Sequence, residues 1–238
     1  MDGTFEIVRE GTLATSPEEY WDAVTTGNGG WLWPMEFEPR VGGQAAFGGT
    51  VTEWEPPHRL CSRMEAPNGW FNQVEHTVDD AGDGTVRFRY VHSGIFVDNW
   101  ENQYHGADEH TDFYLHTLGQ YLAHFSRRPV AYASVDGPAA SLNPAGFDTL
   151  RAALGLGADT RQGDTVTVDL PGEGPAEIVV DYWHPHFLGL RSADTMYRFF
   201  GRNVFGAPVG FAAHLFAPGA DPDATRKSWQ QWLEGVYA

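Results

Sequence analysis

Between Pro39 and Gly94 the chain reads as five short runs of strand-forming residues: PRVGGQAAF, GGTVTEWEPP, RLCSRMEA, FNQVEHTV and GTVRFRYVHSG. Gly, Pro or Asp-Gly cuts each run from the next. Breaks this short leave no room for a crossover helix, so the runs are expected to pair as an antiparallel meander. The period then changes. Tyr114, Leu118, Tyr121, Leu122 and Phe125 recur at three- and four-residue steps, which predicts a helix over about Asp108–Phe125. A sheet with one apolar face and a helix with one apolar stripe bury each other, so the expected class is α+β.

Residues two apart share a face of a strand. Val86, Phe88, Tyr90 and His92 therefore lie opposite Arg87 and Arg89, and Val74, His76 and Val78 lie opposite Gln73, Glu75 and Thr77. Leu60, Ser62 and Met64 lie opposite Cys61, Arg63 and Glu65. One face is expected to be buried and the other charged and wet. Ahead of the meander, FEIVREGTLA reads as a strand. Ser16, Pro17 and Glu19 form a helix-start signature, with Tyr20, Trp21 and Val24 as the inner stripe and TGNGG as the stop.

The second half follows a similar order. VAYASVDG reads as a strand, and Asn143 with Pro144 starts a helix carrying Phe147, Leu150 and Leu154. GDTVTVDL, AEIVVDYWHPHFLGL and TMYRFFGRNVFGAPVGFAAHLFA read as strands with turn breaks. Asp221 and Pro222 open a closing helix with Trp229 and Leu233 inside. A tandem arrangement is expected, residues 1–128 and 129–238, the second half a diverged copy of the first.

Composition bounds the function. A net charge of −17 argues against nucleic acid and anionic membrane as partners. No apolar run reaches the roughly 18 residues that span a bilayer, so no membrane insertion is expected. The start MDGTFEIVRE lacks an apolar signal core, and the single Cys61 fits a reducing compartment, so a cytoplasmic protein is expected.

SPEEYWDAV, EPRVGGQAAF, GGTVTEWEPPHRL, GTVRFRYVHSG and the closing aromatic helix together resemble the activator-of-Hsp90-ATPase-like branch of the START/Bet v 1 (SRPBCC) superfamily over residues 5–126. The matching positions are Ser16, Pro17, Trp21, Trp31 or Trp33, Gly42, Gly43, Pro56 and Leu60. The resemblance implies a helix-grip fold, a curved antiparallel sheet wrapped around a long C-terminal helix with an elongated apolar cavity between them. Trp31 and Trp33 would line or lid its mouth, or else plug the end of the sheet.

The ligand-binding candidates are Trp31, Trp33, Met64, Trp70, His76, Tyr90, His92, Tyr114 and Tyr121. The function expected first is binding of a small lipophilic or aromatic molecule, since aromatic walls with a few polar groups make a ligand pocket. One alternative is a polyketide cyclase or aromatase-like enzyme in which His76, Tyr90 and His92 act as acid–base groups. The other is a chaperone-type interaction module. No cofactor and no metal are expected. His110 and His116 stand six apart on different helix faces, and His184 and His186, placed on one face of a strand, lack an evident third ligand.

Overall fold

The computed structural model describes residues 3–95 and 100–238, with the side chains of 100–102 left aside. The chain divides into two compact units, Met1–Arg127 and Arg128–Ala238.

In the first unit the elements are β1 (Thr4–Leu13), α1 (Pro17–Val24), β2 (Thr50–Glu55), β3 (Arg59–Glu65), β4 (Phe71–Gly82), β5 (Thr85–Ile95) and α2 (Trp100–His124). Among the described residues the sheet has five strands in the order β1-β5-β4-β3-β2, and every pairing is antiparallel. The meander β2 to β5 is closed by the first strand, which returns to pair with the last. Ser16 caps α1, its hydroxyl accepting from the Glu19 amide at 3.2 Å. The register stacks Trp54, Leu60, His76, Tyr90 and Arg9 in one row across the sheet. Helix α2 lies on that face, where Arg9 donates to Asp112 at 2.5 Å and to Asp108 at 2.7 Å. Arg87 is exposed on the opposite face, as the alternation requires.

The second unit contains β6 (Ala131–Asp136), α3 (Gly146–Ala153), β7 (Thr165–Leu170), β8 (Gly174–His184), β9 (Phe187–Arg191), β10 (Thr195–Phe200), β11 (Gly210–Leu215) and α4 (Pro222–Val236). Its described strands run β6-β11-β10-β9-β8-β7, all antiparallel. The rule is the one seen in the first unit, with one strand more: the first strand sits beside the last, and the others follow in reverse. Asp221 caps α4, accepting from Asp223 and Ala224 at 2.9 and 3.1 Å.

Four expectations are corrected. PRVGGQAAF is not a strand. It forms turns with an isolated bridge between Gln44 and Thr50, because Gly42, Phe47 and Gly48 take left-handed backbone that no strand accommodates. Helix α2 begins at Trp100, a full two turns before Asp108. Asn143 does not cap α3. Its side chain accepts from the Ala145 amide two residues on, a local turn, and the helix starts at Gly146. The segment around WHPHF is a hairpin, with His184 ending β8 and His186 in the turn, so the two histidines do not share a strand.

Candidate functional site

The inner face of the first sheet has two parts. Near α1 it is solid. Val51, Leu60, Val78 and Val86 are buried, and Tyr20 of α1 comes down on β4, where its hydroxyl lies 3.0 Å from His76 Nδ1. Trp31 closes this end. It is 4 % exposed, donates its indole N–H to the Ala23 carbonyl at 2.8 Å, and its ring lies 6.4 Å from that of His76. Tyr121 is buried beside it, flat on Gly30, where an added Cβ would fall 2.3 Å from the Tyr121 ring. That contact explains a glycine in the segment between α1 and Trp31: any side chain there would displace a core aromatic.

Toward the other end the same face opens. Ser62, Met64, Asn72, Val74, Tyr90 and His92 all point the same way as His76 or continue its rows, and all are only half-buried. Yet burial dominates the titration of the two that ionise with a resolved shift. Desolvation lowers His92 to about 4 and raises Tyr90 well above the ordinary phenol range. Both side chains thus lie deep in the fold while part of their surface stays open. Their neighbours on this face include uncharged polar and aromatic groups. The Asn72 amide lies 3.0 Å from His92 Nε2, the Phe5 ring stands edge-on to His92 at 4.9 Å, and the Tyr90 ring is 5.1 Å from that of His76. Desolvation lowers His76 to about 4 as well. The Arg9 guanidinium is held by the Asp112 and Asp108 carboxylates, which push its pKa further up. Nε and Nη2 are engaged by the two carboxylates, and Nη1 donates to the Val8 carbonyl at 3.1 Å.

Tyr114 of α2 faces this side of the unit and meets Trp33 at 5.7 Å between ring centres. Trp33 is half-buried and stands between Tyr114 and an outer cleft of about 460 Å³, whose far lip is Phe47, 6.0 Å from Trp33 and 70 % exposed. The Trp33 indole N–H is buried without an acceptor. Trp70 lies apart in the β3–β4 turn, its amide donating to Asn68 Oδ1 at 3.1 Å, and no described contact joins it to the others.

Of the nine candidates, Trp31, His76 and Tyr121 are buried at the α1 end, Met64, Tyr90, His92 and Tyr114 are half-buried, Trp33 borders the outer cleft, and Trp70 stands in the β3–β4 turn. Sequence reading missed Asn72, which shares its face with Met64, and Arg9, which shares its face with Tyr90. The period-two rule could have found both. Cys61 is on the charged face but buried, with burial raising its thiol pKa, so it is poorly suited to act as a nucleophile.

No model of a protein family and no curated protein matches the chain. Solved structures do. The di-domain ARO/CYC BexL of the BE-7585A biosynthetic pathway is 13% identical, with 98% of this chain and 97% of that one covered and a TM-score of 0.43. DynU16, from the dynemicin biosynthetic locus, is 16% identical over 98% of this chain and 99% of its own, with a TM-score of 0.40. The Aha1 dimer from Colwellia psychrerythraea is 18% identical over 50% of this chain and 96% of its own, again with a TM-score of 0.40. Each unit is a helix-grip fold by its own strand order and closing helix. Among the described residues no helix is long and apolar enough to cross a membrane.

Proposed function

We propose that the first unit binds a small, uncharged, lipophilic or aromatic molecule in the hollow between β3–β5 and α2, with Trp33 at its mouth. The observation that carries this reading is the set Met64, Asn72, Val74, Tyr90 and His92, half-open beneath a 25-residue helix in a place where desolvation governs ionisation. Apolar walls with a few convergent neutral polar groups suit such a ligand. A carboxylate would enter without a free cation to meet it, since Arg9 is engaged by two aspartates.

The same titration weakens the enzymatic alternative. An efficient acid or base has a pKa near the working pH. Here burial drives the imidazoles down to about 4 and the phenol up, away from neutrality in both cases. His92 and Tyr90 are therefore suited to neutral hydrogen bonds that orient a ligand.

Calorimetric titration with 2-naphthol, and with 2-naphthoate as its charged counterpart, tests the proposal. The naphthol is expected to bind and the naphthoate to bind far more weakly. His92→Leu should weaken naphthol binding by about 0.5–1.5 kcal/mol, the worth of one neutral hydrogen bond. Absence of binding by both compounds would refute the reading and leave a protein-interaction role for the exposed Phe47 and Val41.

A further inference from the structure

Between α1 and β2 of the first unit, residues 33–48 fold around the cleft of about 460 Å³ that Trp33 borders. Its lining is aromatic and acidic. Trp33, Phe37 and Phe47 supply rings, Glu36 and Glu38 supply the charged groups, and no lysine, arginine or histidine lines it. The Trp33 and Phe47 rings have centres 6.0 Å apart and planes inclined at 59°, so they make a corner rather than a stack. A cation is attracted within about 6 Å of a ring centre, and one seated in this corner can lie within that reach of both rings.

Phe47 is the unusual member. A single exposed apolar side chain is ordinary. This one is 70 % exposed and also stands in left-handed backbone, φ 58° and ψ 26°, which bulky residues seldom enter. Little burial offsets that conformation, and backbone of this kind gathers at ligand clamps. Trp33 is by contrast fixed from behind, edge-on to Tyr114 at 5.7 Å. The two carboxylates differ as well. Glu38 Oε2 is already engaged by Arg40 at 2.8 Å and by the Gln44 amide at 3.1 Å. Glu36 is exposed, and no ion pair among the described residues engages it.

We propose that this cleft binds a small organic cation of the quaternary ammonium class, its methyl-covered charge against the Trp33 and Phe47 rings and beside Glu36. Such an ion has no N–H to donate. What it needs is aromatic surface and a nearby carboxylate, and the cleft lining supplies both. An anion would meet two carboxylates and no basic side chain. The net charge of −17 also draws cations toward the surface at long range. The site does not rest on binding in the hollow, with which it shares only Trp33, and the two take ligands of different charge.

The test is NMR titration of the full chain with choline, with its uncharged isostere 3,3-dimethylbutan-1-ol, and with phosphocholine. Choline is expected to bind saturably, its N-methyl protons moving upfield and the Trp33 indole and Phe47 ring shifting with them. The isostere lacks the charge and phosphocholine brings a phosphate toward the carboxylates, so each should bind at these rings several-fold more weakly. Phe47→Leu keeps apolar bulk without the ring and should weaken choline about two- to fivefold. Glu36→Gln should weaken it by a similar factor at low salt, and the difference should shrink as salt is added. Both side chains are exposed, so both variants should fold. Isostere shifts at Met64 and His92 without Phe47 belong to the hollow and agree with the proposal. It is overturned if choline does not bind, if the isostere or phosphocholine shifts Trp33 and Phe47 with equal affinity, or if either variant leaves choline affinity unchanged.

Discussion

The two units share a strand order and differ in what lies under the closing helix. In the second, Trp229 of α4 fills the centre. It is fully buried, stacked on Phe211 at 4.0 Å between ring centres and set against Phe199 at 5.4 Å and Trp232 at 5.3 Å. Leu233, Val180 and Leu190 complete a core without exposed members. In the first, the corresponding sheet face presents Asn72, Tyr90 and His92, and α2 meets Tyr90 with Thr111, a much smaller side chain. Topology places a sheet face against a helix in both units. The bulk of a few side chains decides how fully that interface is filled, because interiors pack to near-crystalline density wherever atoms are available.

The sharpest way to break this comparison is to remove the filler. Trp229→Ala should lower the stability of the second unit by about 3–5 kcal/mol in denaturant unfolding, whereas Met64→Ala on the hollow should cost under about 2 kcal/mol. Equal losses would mean the two interiors are packed alike.

A comparable effect is expected at the buried ion pair of the second unit. Arg198 donates to both Asp181 oxygens at 3.1 Å, and Gly189 makes room, since a Cβ there would fall 2.2 Å from Asp181 Oδ1. Arg198→Met removes the two-pronged partner of a buried carboxylate and should cost about 3–5 kcal/mol, while adding Asp181→Leu should return much of that. If the double variant is no more stable than the single one, the pair is not the source of the loss.

The burial of the two histidines should show in acid. His76 and His92 titrate near 4 in the fold against an ordinary 6.5, so between those values the unfolded chain binds more protons. Stability should rise with pH across that window and fall away as pH drops through it. His92→Leu should flatten part of the slope, read from urea midpoints at about pH 4.5 and about pH 7. An unchanged slope would place His92 in water instead.

Much of this was legible in the sequence, for physical reasons that also explain the failures. Alternation in β4 and β5 is strict and bounded by Gly and Asp-Gly, so His76, Tyr90 and His92 were assigned the correct face. Arg9 continues the face of Phe5 and Ile7, but an inward arginine runs against the hydrophobic pattern. Only its aspartate partners on α2 make the position tolerable. The first two turns of α2, WENQYHGA, carry Trp100, Tyr104 and Ala107 at helical spacing, but Gly106, a poor helix former, interrupts them, so the start of the stripe is weaker than its end. Asn143 has the residue type of a cap, but the same side chain closes a local turn equally well, and here it does. Openness was out of reach altogether: whether Met64 and Val74 meet a neighbour depends on how α2 seats, which no local pattern encodes.

The most direct test of the central claim is residue-resolved ¹H–¹³C NMR of the full chain titrated with 2-naphthol. The account predicts saturable shifts at Met64, Val74 and His92, with Trp229 and Leu233 unmoved. Shifts confined to Trp229 and Leu233, or no saturable shift at Met64, Val74 and His92, would contradict it.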